Sequence, residues 1–233
     1  QLAAQRGGAD VIFDKSGNRI GGAMLLAVVT LKNNAVGRHY RLPTKRDYAA
    51  VRLAQETVAQ LPPGVAPEEP TPVGGGAGAG RAFPLRNYGM TRFRDVFTAR
   101  QTLALCTLAK AVSEADDAPE SLALGIGKLV DLANAMCPWE PVAECPRNVL
   151  SNARVKPSWD FAEGVPVSSS SASFAVCVDN LIGGVRSVCD IDRPGDAALA
   201  AAQSSPLPSD SCGLWFTDPP YYDAIPYSDL SGF

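Results

Sequence analysis

Residues 62–85 are the stretch that most limits what this chain can become. They hold Pro62, Pro63, Pro67, Pro70 and Pro72, then the run GGGAGAG at 74–80. Proline fixes φ and removes an N–H donor, and glycine weakens helix and strand alike, so no regular element passes through. The segment reads as a flexible linker or long surface loop between ordered parts. A glycine-rich nucleotide loop is rejected, because no strand precedes it and no helix pattern follows directly. The chain therefore divides into 1–61, the linker 62–85, a helical subdomain 86–150, and a final segment 151–233.

Periodicity fills in these parts. The apolar run AMLLAVVT at 23–30 predicts a buried strand. Asp47 is placed to cap a helix running to about Leu61, with Tyr48, Val51, Ala54, Val58 and Leu61 on one face. Thr98 caps a helix over 99–114 that carries Leu103, Cys106 and Val112. Glu120 and Ser121 open another over 121–136, and the two predict a helical hairpin. Residues 137–167, with Trp139 and Trp159, read as irregular. The serine run 168–171 supplies an N-cap for an amphipathic helix with Phe174, Cys177, Val178, Leu181, Ile182 and Val185 on one side. Gly213 to Thr217 (GLWFT) reads as a short buried strand. The class is α/β, and 233 residues at 46% hydrophobic suffice for one sizeable core or two small ones.

Charge and cysteines exclude several classes. Charged residues are 19% and the net charge is −3, so the chain is neither a disordered charged tail nor a histone-like binder. The six cysteines are dispersed without a C-x-x-C pair, and Cys106 and Cys177 lie on apolar helical faces as buried thiols. The seven-residue gap between Cys137 and Cys145 is a poor match to half a metal site. His39 is the only histidine, which argues against a His-based triad or a His-rich metal site; no metal is expected. No signal peptide opens the chain and no apolar run is long enough to span a bilayer. A reducing cytoplasm is the expected compartment.

The most chemical stretch is Asp218-Pro219-Pro220-Tyr221. Open α/β sheets bind ligands at the carboxyl ends of their strands. The proline pair stops the strand and leaves carbonyls in charge of the local polarity. Asp218, when ionised, only accepts hydrogen bonds. Tyr221 offers a flat face. The set suits a planar ring carrying an –NH2 group: one amine hydrogen to the Asp218 carboxylate, the other to the Pro219 carbonyl, and Tyr221 stacked on the ring for roughly 1–3 kcal/mol. Two acceptors pulling on the amine favour a pyramidal nitrogen whose lone pair can attack an electrophilic methyl. In a duplex such a base must first be flipped out. A plain turn after a strand is the alternative.

The continuation DPPYYDAIPYSDLS resembles the signature of the large adenine-specific DNA methylases that carry a zinc ribbon and a DUF1156 domain. Residues 37–47 (GRHYRLPTKRD), 88–103 (YGMTRFRDVFTARQTL) and 159–173 (WDFAEGVPVSSSSAS) resemble segments of that family in the same order. The resemblance implies a partial Rossmann-like methyltransferase fold with a largely helical insertion, dependent on S-adenosyl-L-methionine (AdoMet), often encoded in restriction or phage-defence loci. It places the cofactor's glycine motif and the zinc-ribbon cysteines before residue 1, and later strands of the sheet after residue 233. The chain is then an internal piece, expected to be inactive alone. Asp218, Pro219, Pro220 and Tyr221 carry over as catalytic residues, with Tyr222 and Tyr227 beside the substrate. Gly232 departs from the pattern, which has an acidic residue there.

The implied substrate is adenine N6. Cytosine N4 shares the geometry, and a non-catalytic module that binds DNA or a defence-system partner is a further alternative. The basic loops supply candidate phosphate contacts: Arg38, Arg41, Lys45 and Arg46 in one, Arg92 and Arg94 in the other, with Arg81, Arg86 and Arg100 nearby. An ordinary solvated face would look the same. Trp159, Asp160 and Phe161 either line a pocket for base or cofactor or pack in the core.

Overall fold

The computed structural model describes residues 9–31, 37–74, 83–150, 155–189, 195–201, 203–219, 225 and 227–231. Among the described residues there are three antiparallel hairpins and five α-helices, so the class is mixed α and β. Strand β1 (Val11–Phe13) pairs with β2 (Arg19–Gly22), and β3 (Val28–Thr30) with β4 (His39–Arg41). A third pair, β5 (Trp139–Glu140) and β6 (Cys145–Pro146), is two residues long. No parallel strand pair occurs among the described residues.

The first hairpin shows why its sequence turns where it does. Asp14 Oδ1 accepts the backbone N–H groups of Ser16 (2.9 Å) and Asn18 (2.8 Å), and Gly17 takes φ +84°. This side chain replaces ladder bonds with local ones, as Asx turns do. Gly22, at φ +66°, admits no Cβ, which would lie 2.2 Å from the Asp10 carbonyl oxygen.

Helix α1 (Lys45–Val58) starts at Thr44, not at Asp47. Asp47 sits three residues in, and its Oδ2 accepts from both the N–H and the hydroxyl of Thr44 at 2.7 Å. Val51 and Ala54 are buried on the expected face. In α2 (Ala99–Ser113), Thr98 is the cap: its hydroxyl accepts from the Gln101 N–H, while Gln101 Oε1 accepts from the Thr98 N–H. Helix α3 (Pro119–Val130) ends six residues earlier than the pattern predicts. Asn134 is the reason. Its Nδ2 donates to the Val130 carbonyl and its Oδ1 accepts from the Met136 N–H, so the side chain replaces the next helical bonds. Helix α4 (Phe174–Val188) is capped by Ser173 rather than by the serines of 168–171.

The helices stack in chain order, α1 on α2, α2 on α3 and α3 on α4. Gly125 lets α4 close on α3: a Cβ there would meet Phe174 at 3.1 Å and Leu181 at 3.5 Å. The core gathers Phe83, Leu85, Val96, Leu105, Leu129, Met136, Val155 and Cys177. Asp131 ties the end of α3 to the following chain: its carbonyl accepts from Val149 N–H and its Oδ1 from Leu150 N–H.

Two strands expected to be buried are not. Within 23–30 only Val28–Thr30 is strand; it pairs on one side only, and Met24, Leu26 and Val29 stay exposed. Residues 213–217 form neither strand nor helix, with Leu214 at 83% and Phe216 at 88% exposure. A strand needs a hydrogen-bonding neighbour, and the described residues offer this segment none. The Pro-rich part of the linker is irregular, as expected, but stitched down. Thr71 N–H donates to the Thr91 carbonyl, Phe93 N–H to Glu69 and Arg94 N–H to Pro67. Residues 75–82 lie outside the described residues.

Candidate functional site

Asp218 and Pro219 are both exposed, and Asp218 makes no hydrogen bond or ion pair with the described residues. Pro220, Tyr221 and Tyr222 lie outside the described residues. The chain then returns to the core. Helix α5 (Tyr227–Ser231) packs Leu230 against it and leaves Tyr227 at 47% exposure.

The basic residues divide by what already holds them. Arg41 grips Asp47 through two bonds of 2.8 Å. That guanidinium, with Thr44, holds the Asp47 carboxyl far below the usual carboxylate range. Arg38 Nε donates to the Glu144 carbonyl (3.3 Å), and Glu144 Oε1 accepts from the Tyr40 hydroxyl (2.9 Å). Arg92 and Arg94 both donate to Glu68 and depress its pKa. Lys45 and Arg46 are different. They occupy the exposed first turn of α1 and have no partner among the described residues. Cations there oppose the helix dipole at a cost of about 0.3–1 kcal/mol each. Arg94 shares a cleft with Val58, at the other end of α1. The two basic clusters thus lie on the order of 20 Å apart, the length of that helix.

Arg86 donates to the Thr71 carbonyl, and Arg100 Nη2 meets Glu163 Oε2 at 2.8 Å; Arg81 is outside the described residues. Burial pushes the Glu163 carboxyl up, against the pull of Arg100. His39 is partly buried in β4, and its Nε2 has no partner among the described residues.

All six cysteines are free thiols. Burial pushes Cys137 up to about 12 and raises Cys177 and Cys106 as well. Among the described residues no group of three or more His, Cys, Asp and Glu side chains is placed to hold a metal ion. No described helix is long and apolar enough to cross a membrane.

Open clefts among the described residues include two of note. One, about 630 Å³, runs between the end of α1, the Pro-rich segment and the start of α2. Its carboxylates are already engaged: Asp10 accepts from the N–H groups of Val11 and Ala99, Asp95 from those of Thr91 and Arg92, and Glu68 from two arginines. The other, about 660 Å³, is walled by Trp159, Asp160, Lys156 and Arg147 over a floor of Met136 and Val149. Of the three residues 159–161, then, Trp159 and Asp160 line a pocket, while Phe161 packs against the core. Arg147 and Lys156 escaped the sequence reading because neither sits in a dense basic run. Their proximity to Trp159 comes from the fold. No family model, curated protein or solved structure matches the chain.

Proposed function

We propose that the chain is part of a DNA amino-methyltransferase that moves a methyl group from AdoMet to N6 of adenine. The observation that carries this reading is Asp218-Pro219-Pro220-Tyr221 with its continuation to Ser231. The exposed Asp218 carboxylate, without a partner among the described residues, is free to accept a hydrogen from an amine. In this reading the Pro219 carbonyl takes the other amine hydrogen and Tyr221 stacks on the flipped base, with Tyr222 and Tyr227 beside it. Holding both hydrogens pulls the lone pair out of conjugation and stabilises the positive charge that develops on nitrogen. Orientation of the ring against the donor supplies much of the remaining rate.

Residues 213–217 would be a strand of a partial Rossmann-like parallel sheet, its neighbours lying outside the described residues, and the helical stack an insertion. In the α1 cleft the carboxylates are committed to backbone and arginine partners, so that cleft offers AdoMet no free acceptor. Lys45 and Arg46, without partners among the described residues, would equally serve a second reading, a non-catalytic module that binds DNA or a defence-system partner. Cytosine N4 would use the same grip.

For DNA contacts, Lys45 and Arg46 are the readiest phosphate ligands, with Arg38 and Arg41 beside them on the β4 side. Arg92 and Arg94 would have to exchange Glu68 for a phosphate. The compartment proposed is the cytoplasm. The test is transfer of tritiated methyl from AdoMet to unmethylated DNA by the full-length protein encoded by the reading frame that contains residues 1–233, beside Asp218→Ala. The variant is expected to lose on the order of 10²-fold or more, as when one preorganised group is removed. Equal transfer by both would remove Asp218 from the mechanism.

A further inference from the structure

The cleft beside Trp159 has no role in the grip on the amine. Its volume of about 660 Å³ falls in the range of small-ligand sites. Trp159 is 73% exposed on its wall. An indole left that far in water forgoes its apolar burial unless something else covers it. The ring is nevertheless held in place. Tyr88 packs against it nearly perpendicular, with centroids 6.0 Å apart and planes at 78°. The backbone is anchored on both sides, by fully buried Val155 before it and by the Ala162 N–H donating to the Cys137 carbonyl at 2.7 Å after it. Such a fixed, exposed aromatic costs little further entropy when a ligand stacks on it.

Two cations share the cleft. Lys156 is exposed and has no partner among the described residues. Arg147 gives its Nε to Glu140 at 3.0 Å, leaving its terminal nitrogens unpartnered among them. Asp160, an acceptor when ionised, stands next to the ring. A flat apolar face, cations and an acceptor are together the complement of a nucleotide: a base to stack, a phosphate to pair and an amine to receive. In a duplex the base faces are covered by their neighbours, so only an unpaired nucleotide can use the ring.

We infer that this cleft docks one unpaired nucleotide of a DNA strand, its base on Trp159 and its phosphate between Arg147 and Lys156. The inference rests on DNA being the partner, as proposed above. Asp160 favours a base with an exocyclic amine over thymine.

The experiment is fluorescence anisotropy of the protein with a labelled single-stranded oligo-dA, with AMP as competitor. Trp159→Ala is expected to weaken binding by about fivefold to 150-fold, the range of base–aromatic stacking, while Trp159→Phe restores most of it. Lys156→Gln is expected to lower the slope of log affinity against log salt by about 0.7. Melting followed by circular dichroism shows whether each variant is folded, and the exposed position of Trp159 predicts that it is. Unchanged affinity in folded Trp159→Ala overturns the inference. So does a Phe variant as weak as the Ala variant, an absence of oligonucleotide binding in the wild type, or AMP competing as well as the oligonucleotide does. Methyl transfer on the same preparations keeps the two proposals apart. Transfer that depends on Asp218, with oligonucleotide affinity indifferent to Trp159, overturns the cleft alone. Trp159-dependent binding without any transfer supports the cleft and removes the methyltransferase.

Discussion

Replacing Leu129 by alanine should remove a large part of the stability of the helical stack. Leu129 is fully buried where α3 meets the core around Val96, Leu105 and Cys177. The change deletes three carbon atoms, worth about 0.8 kcal/mol each by transfer. The neighbours are helices fixed on several sides, so the space closes only partly, and the residual cavity adds about 1–2 kcal/mol. The total is about 4 kcal/mol, against a typical domain stability of roughly 5–15 kcal/mol. Leu124, on the same helix, is 65% exposed, and Leu124→Ala should stay within about 0.5 kcal/mol of wild type. Urea titrations followed at 222 nm for the three proteins give both differences. Equal losses for the two leucines, or a larger loss at Leu124, would mean that α3 presents a different face to α2 and α4.

Other consequences are as direct. Under native conditions a neutral thiol reagent should modify exposed Cys189 and Cys212 quickly and spare Cys137 and Cys177, as peptide mapping would show; rapid labelling of Cys137 would contradict its burial. Asp14, Asp47, Glu68 and Glu140 all have folded-state pKa values below their ordinary ones, so their contribution is present above the ordinary carboxylate range and is lost as pH falls through and below it. Glu163, raised by burial, acts with the opposite sign: its contribution is largest in acid and falls as pH rises through its elevated value. Urea midpoints should therefore drop below about pH 4, and Glu68→Gln should flatten that drop; a variant with an unchanged acid limb would remove Glu68 from the account. Exchanging both Lys45 and Arg46 for glutamine should reduce the salt slope of DNA binding by about 1.8, two phosphate contacts' worth, and an unchanged slope would place the DNA elsewhere.

The helices were legible because each carries its signal locally. Thr98 with Gln101, and the Val51–Ala54 spacing, specify an end and a face without reference to the rest of the chain. What the sequence leaves open is whatever depends on a distant partner. AMLLAVVT and GLWFT are apolar enough for a core, but burial needs a neighbour to cover them, and their composition does not say whether one arrives. The linker hides a similar relation. Its prolines exclude regular structure correctly, yet Pro67, Glu69 and Thr71 hydrogen-bond to residues 90–94 across the glycine run, and Glu68 thereby reaches Arg92 and Arg94. Of the candidate site, the motif at Asp218 and the aromatic at Trp159 were visible as residues. The company of Arg147 and Lys156 around Trp159 was not, because residues 136–138, 147–149 and 156–160 meet only in the folded chain.

The central claim is that Asp218 prepares an exocyclic amine for methylation. Its most direct measurement is the identity of the product: full-length protein incubated with isotopically methyl-labelled AdoMet and unmethylated DNA, the DNA digested to nucleosides, and the labelled base identified by mass spectrometry with Asp218→Ala alongside. Labelled N6-methyladenine that disappears in the variant is the expected result. No label on any base, from a folded protein that binds DNA, would contradict it.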